Sequence, residues 1–148
     1  MAAILETSVE IAAPVDAVFG YVEDFTRLKD WVYGLHQITP VEGPLRGEGA
    51  TYDGVMRLGV SLRSTVRCTD YEMNRRVEIS SIRGIHNTQR WTFSELGDDR
   101  TRVEVWMSYT LPGGPAGAAI ERAVRPLVGV AVKHSSEALV RNVEALAF

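Results

Sequence analysis

Along residues 4–12 the chain alternates. Leu5, Thr7, Val9 and Ile11 fall on one side, and Glu6, Ser8 and Glu10 on the other. A period of two with one polar face predicts a strand that buries a single face. The pattern changes at Pro14, a residue pre-set for a first helical turn. Val15, Val18, Phe19 and Val22 then recur at helical spacing. Asp24 has the chemistry of an N-cap, and it predicts a second short helix from Phe25 to about Trp31, ended by Gly34.

Six further alternating runs follow, at about 37–42, 50–58, 61–71, 75–83, 86–96 and 101–111. The breaks between them, EGPLRGEG, LGVS, EMNR, RGIH and LGDDR, carry turn residues. Connections this short make neighbouring strands antiparallel. Runs near ten residues are long for strands and predict a strongly twisted, curved sheet.

LPGGPAGA interrupts the alternation, and residues 116–147 are helical in pattern. Ile120, Val124, Leu127, Ala131, Ala138 and Leu146 form the apolar stripe, with Ser135 and Asn142 near its centre and His134 at its edge. At about 1.5 Å per residue this helix spans roughly 45 Å. Pro126 lies inside it and predicts a kink or a break.

The order strand, two short helices, six strands, long helix is similar to the helix-grip superfamily of START-related and birch-pollen-allergen-like proteins. It is nearest to the bacterial polyketide cyclase/dehydrase and lipid-transport group. Three stretches carry the resemblance: VEIAAPVDAVFGYVEDFTRLKDW, RWTFSELGDDRTRVEVWMSYTLPGG and SSEALVRNVEAL. It implies one α+β domain over residues 1–148, in which a curved antiparallel sheet of about seven strands wraps the C-terminal helix. The two short helices then cradle one end of that helix. The enclosed space is expected to be a cavity for an apolar or aromatic small molecule.

A hollow is physically reasonable. A curved sheet cannot follow a straight helix along its whole length, so the gap needs large side chains or a guest. On the helix, Ala131, Ser135 and Ala138 are small where large residues would be needed. Asn87, Gln89 and Trp91 share a strand face, as do Val103, Val105, Met107 and Tyr109; Leu62, Ser64, Val66 and Cys68 form the corresponding set on 61–71. Trp31 and Tyr33 are placed to edge the cavity mouth. The expected ligand-binding residues are therefore Trp31, Tyr33, Ser64, Asn87, Gln89, Trp91, Tyr109, His134, Ser135 and Asn142. Residues 50–58 allow two registers. One turns Tyr52, Met56 and Leu58 inward and the other turns in Asp53, Val55 and Arg57; the apolar content favours the first.

Composition narrows the function. Of 148 residues, 45% are apolar and 24% charged, ordinary for one globular domain, and the net charge of −3 argues against nucleic-acid binding. The single cysteine, Cys68, cannot make an internal disulfide and suits a reducing, cytoplasmic setting. The N-terminus lacks the pattern of a signal peptide, and no apolar run is long enough to span a bilayer. His36, His86 and His134 show no metal-ligand spacing, so no metal and no cofactor are expected. A monomer or homodimer suits a chain of this size.

Three readings remain open. The chain is a carrier of a lipid-like, quinone-like or polyketide-like molecule, a polyketide cyclase or dehydratase, or an interaction module. In the enzyme reading His134 or Tyr109 moves a proton.

Overall fold

The structure, a computed structural model, describes residues 3–111 and 113–146. Met1, Ala2, Pro112, Ala147 and Phe148 lie outside them, among them the last predicted helical residue and one proline of the LPGGPAGA connection. The strands are β1 (Ala3–Ile11), β2 (Leu35–Glu42), β3 (Thr51–Arg57), β4 (Ser61–Glu72), β5 (Arg76–Gly84), β6 (His86–Gly97) and β7 (Arg100–Thr110). The helices are α1 (Val15–Val22), a 3₁₀ helix (Phe25–Asp30) and α2 (Gly114–Glu144). This is the helix-grip arrangement expected, with each strand within two residues of its predicted bounds.

All neighbours in the sheet are antiparallel, in the order β1-β7-β6-β5-β4-β3-β2. Register shifts occur between Leu35 and Gln37, Pro40 and Glu42, Thr65 and Val66, Cys68 and Asp70, and Glu95 and Gly97. Each bends its strand, and together they give the sheet the curvature it needs to wrap a helix. Gly84 closes one such bend. Its φ is +80°, and a Cβ there would stand 2.3 Å from the Arg63 carbonyl oxygen, so only glycine fits.

Pro14 precedes α1 in extended conformation, and α1 buries Val15, Val18, Phe19, Tyr21 and Val22. Asp24 caps the 3₁₀ helix as predicted, its Oδ1 accepting from the Thr26 amide at 3.1 Å and from the Thr26 hydroxyl at 2.6 Å. Gly34 follows in the left-handed region at φ +86°.

The long helix departs from expectation in two respects. It runs unbroken through Pro126. Its buried face is Gly117, Val124, Val128, Ala131, Leu139 and Val143, whereas Ile120 and Leu127 are 42% and 37% exposed and Leu146 is exposed as well. The C-terminal part is tied down by polar contacts. Glu144 accepts from the Ala12 amide at 2.8 Å, and the Asn142 amide donates to the Tyr21 hydroxyl and the Asp30 carbonyl, both at 3.1 Å.

Packing falls into two clusters. The larger gathers α1, the 3₁₀ helix and the C-terminal half of α2 against the sheet. There Phe19 meets Tyr71 and Phe93 edge-on at 5.4 and 5.0 Å. The smaller, at the other end, holds Leu58, Tyr109, Val124, Val128 and Ala131. Beneath α1, Glu23 is buried and paired with Arg46, which reaches in from the β2–β3 loop and also donates to the Gly20 carbonyl.

Candidate functional site

Between the two clusters lies a cavity of about 280 Å³, walled by residues of both. The sheet supplies inward positions of all seven strands, including Val9, Ile38, Met56, Val66, Ile79, Trp91 and Val105. Its roof is α2, through Val124, Val128, Ala131, Ser135 and Leu139. Phe25, Trp31 and Tyr33 close the side below the 3₁₀ helix. In β3 the first register is the observed one. Tyr52 is buried and Gly54, Met56 and Leu58 reach the cavity, while Asp53 and Arg57 are exposed. Val55 is buried too, on the opposite face of the strand.

The wall is apolar apart from a few groups, and most of those have partners. Trp91 donates its indole N–H to Gln89 Oε1 at 3.2 Å and meets Trp31 edge-on at 5.6 Å. The Trp31 indole N–H is buried without an acceptor among the described residues. Asn87 Nδ2 donates to the Ile85 carbonyl at 3.3 Å and to Ser64 Oγ at 3.5 Å. Ser135 Oγ accepts from the Tyr33 amide at 2.8 Å. The Tyr109 hydroxyl donates to Glu121 Oε1 at 3.3 Å, and Arg125 holds the same oxygen from its Nε at 2.9 Å.

Of the residues expected to bind a ligand, Trp31, Tyr33, Ser64, Asn87, Gln89, Trp91, Tyr109 and Ser135 contribute to this wall. His134 and Asn142 do not. His134 sits on the outer side, stacked on Tyr33 at 5.2 Å, beside a shallower polar depression with Lys29, Asp30, Glu137 and Arg141. The side chain of Asn142 is spent on Tyr21 and Asp30, so it braces the 3₁₀ helix against α2. Val128 and Leu139 on the helix escape sequence reasoning, because the stripe it assigns shares Val124 and Ala131 with the buried face but takes Leu127 and Ala138 in place of their inward neighbours.

Titration behaviour follows from burial. The Tyr109 hydroxyl is pushed up, first by desolvation and then by the charge of Glu121. The guanidinium of Arg125 holds Glu121 below the usual carboxylate range. Burial raises the Cys68 thiol to about 11, which leaves it a poor nucleophile. Among the described residues no cluster of three or more His, Cys, Asp or Glu could hold a metal ion, and no helix is long and apolar enough to cross a membrane.

A family model described as polyketide cyclase / dehydrase and lipid transport matches residues 2–144. The chain belongs to that family. Solved structures agree with the fold. A protein from Thermus thermophilus is 20% identical, with 97% of this chain and 98% of that one covered and a TM-score of 0.81. A START superfamily protein from Mycobacterium smegmatis is 19% identical over 97% and 99% of the two chains, at 0.78. The Zhui aromatase/cyclase from Streptomyces sp. R1128 is 20% identical over 97% and 92%, at 0.74. No curated protein matches in sequence. At these identities the likeness establishes a shared helix-grip fold.

Proposed function

We propose that this chain binds a hydrophobic, aromatic small molecule in the cavity between the sheet and α2, and holds it without transforming it. The observation that carries the reading is a hollow of about 280 Å³ whose wall is apolar except for a handful of mostly partnered groups. An apolar cavity of about 150 Å³ stays dry and takes up benzene. This one is nearly twice that size, enough for two or three fused rings, and close to the lower bound of about 300 Å³ for small-molecule sites. A buried, unpaired cysteine fits a protein working in a reducing cytoplasm.

Native mass spectrometry of freshly purified protein, before and after organic extraction, tests the reading. Retained or re-acquired mass of an aromatic or lipid-like compound is expected. A chain that never carries or takes up any such compound would overturn it.

The polar groups around Tyr109 favour a second reading, as a polyketide cyclase or dehydratase. Of the two residues expected to move a proton, only Tyr109 reaches the cavity; His134 faces away. Because the Tyr109 hydroxyl is harder to ionise than usual, it suits hydrogen bonding better than proton abstraction. Unchanged turnover of a poly-β-ketone substrate by Tyr109→Phe would remove that residue from any mechanism.

A further inference from the structure

The end of the cavity nearest the start of α2 has a definite hydrogen-bonding polarity. Tyr109 on β7 and Asn87 on β6 are directly opposite each other in the sheet, and both line the cavity. Side chains so paired have Cβ atoms about 5 Å apart. The Tyr109 proton is committed outward, to Glu121 Oε1 at 3.3 Å. Glu121 is bound by Arg125, and an ionised carboxylate can only accept. With its proton on Glu121, the Tyr109 hydroxyl has only lone pairs left to offer, on a residue that lines the cavity.

Asn87 is oriented just as firmly. Its Nδ2 faces the Ile85 carbonyl, which can only accept, so that end of the amide must be the nitrogen. The same nitrogen reaches Ser64 Oγ. Asn87 Oδ1 has no donor among the described residues, and its residue lines the cavity. Ser64, accepting from Asn87, keeps its own proton free. The cluster therefore presents two acceptors, Tyr109 Oη and Asn87 Oδ1, and one donor, Ser64 Oγ.

We infer that this cluster selects a hydroxylated aromatic ligand, a phenol or an enol, whose O–H donates to Tyr109 or Asn87 while its oxygen accepts from Ser64. A ketone or an ether can only accept and would leave both acceptors unpaired. Glu121 acts as a positioning residue: it fixes which way the Tyr109 proton points. This inference rests on the ligand-binding reading above and names the ligand class for the same cavity.

The test compares naphthalene, 2-naphthol and 2-methoxynaphthalene by calorimetric titration at pH 7, with wild type, Tyr109→Phe and Glu121→Ala. A buried polar group left unpaired costs about 5- to 150-fold in affinity. Wild type should bind 2-naphthol more tightly than 2-methoxynaphthalene by a factor in that range. Tyr109→Phe should lose most of that ratio. Glu121→Ala, a helix-compatible change outside the cavity wall, frees the Tyr109 proton and should lower the ratio by favouring the ether. Using the ratio within each variant cancels any general loss of affinity, and circular dichroism verifies the fold. Equal binding of the alcohol and the ether by wild type, or a ratio untouched by Glu121→Ala, overturns this inference while naphthalene binding upholds the reading beneath it. Failure of all three compounds to bind overturns both.

Discussion

Ala131→Leu decides whether the interior is hollow by the sign of its effect. Ala131 is buried on the inner face of α2 and lines the cavity. Leucine adds three carbons there, few beside the 280 Å³ available. Burying them should contribute about 0.8 kcal/mol each, or about 2.4 kcal/mol. Fixing the leucine rotamer costs roughly 0.5–1 kcal/mol. Helix propensity is almost unchanged. The net expectation is a gain of about 1.5–2 kcal/mol in the ligand-free protein. For a domain of this size each kcal/mol moves the midpoint about 2–4 °C, so melting should rise by about 3–8 °C. Had the interior been solidly packed, the same carbons would strain it and cost about 1–3 kcal/mol. The assay is thermal unfolding followed by circular dichroism on organically extracted protein. A three-ring aromatic should also bind the variant at least about tenfold more weakly, a loss of about 1.4 kcal/mol or more, because the leucine occupies its place. A lower melting temperature with unchanged ligand affinity would refute the hollow.

Arg46→Ala should destabilise the fold by about 1–3 kcal/mol, because it strands the buried Glu23 carboxylate. Urea unfolding checks this, and adding Glu23→Gln should recover part of the loss; an additive further loss would show that the pair does not act as one. Cys68, raised from an ordinary 9.0 to about 11, should label with a maleimide at pH 8 at least about a hundredfold more slowly in the folded chain than after denaturation. The folded chain holds this proton more tightly than the unfolded chain. The associated stability is therefore complete below about pH 9 and lost as pH climbs towards 11, a slope that Cys68→Ala should flatten. Rapid labelling of native protein would contradict the burial.

The sheet was readable because its physics is simple. In β1, Leu5, Thr7, Val9 and Ile11 alternate with exposed Ile4, Glu6, Ser8 and Glu10, and a period of two has one inward phase. In β3 the alternation left two registers open, with apolar content favouring the one observed, in which Asp53 and Arg57 are exposed. The helix was harder. Its first half carries Ile120, Val124, Leu127, Val128, Val130 and Val132, apolar around most of its circumference. With so little contrast, the phase of the stripe is set by what the sheet presents opposite and not by the helix itself. Hence Ile120 and Leu127 are exposed, and Val128 and Leu139 turn inward. Asn142 falls near the stripe centre by angle alone, but its partners are 121 and 112 residues away in the chain, which no local pattern reveals. The Glu23–Arg46 pair is equally non-local, joining the end of α1 to a loop with no periodicity of its own.

Tyr33, with Trp31 and Val32, belongs both to the cavity wall and to the outer depression, so this segment is the partition between them. Two contacts hold Tyr33 to α2: its amide on Ser135 Oγ and its ring on His134. A molecule leaving on this side would have to part those two contacts and displace the neighbouring Trp31 and Val32, with the sheet and the far cluster left standing. Release would then be timed by a local event, much faster than unfolding, and the deuterium exchange of a single amide, that of Tyr33, would serve as its clock.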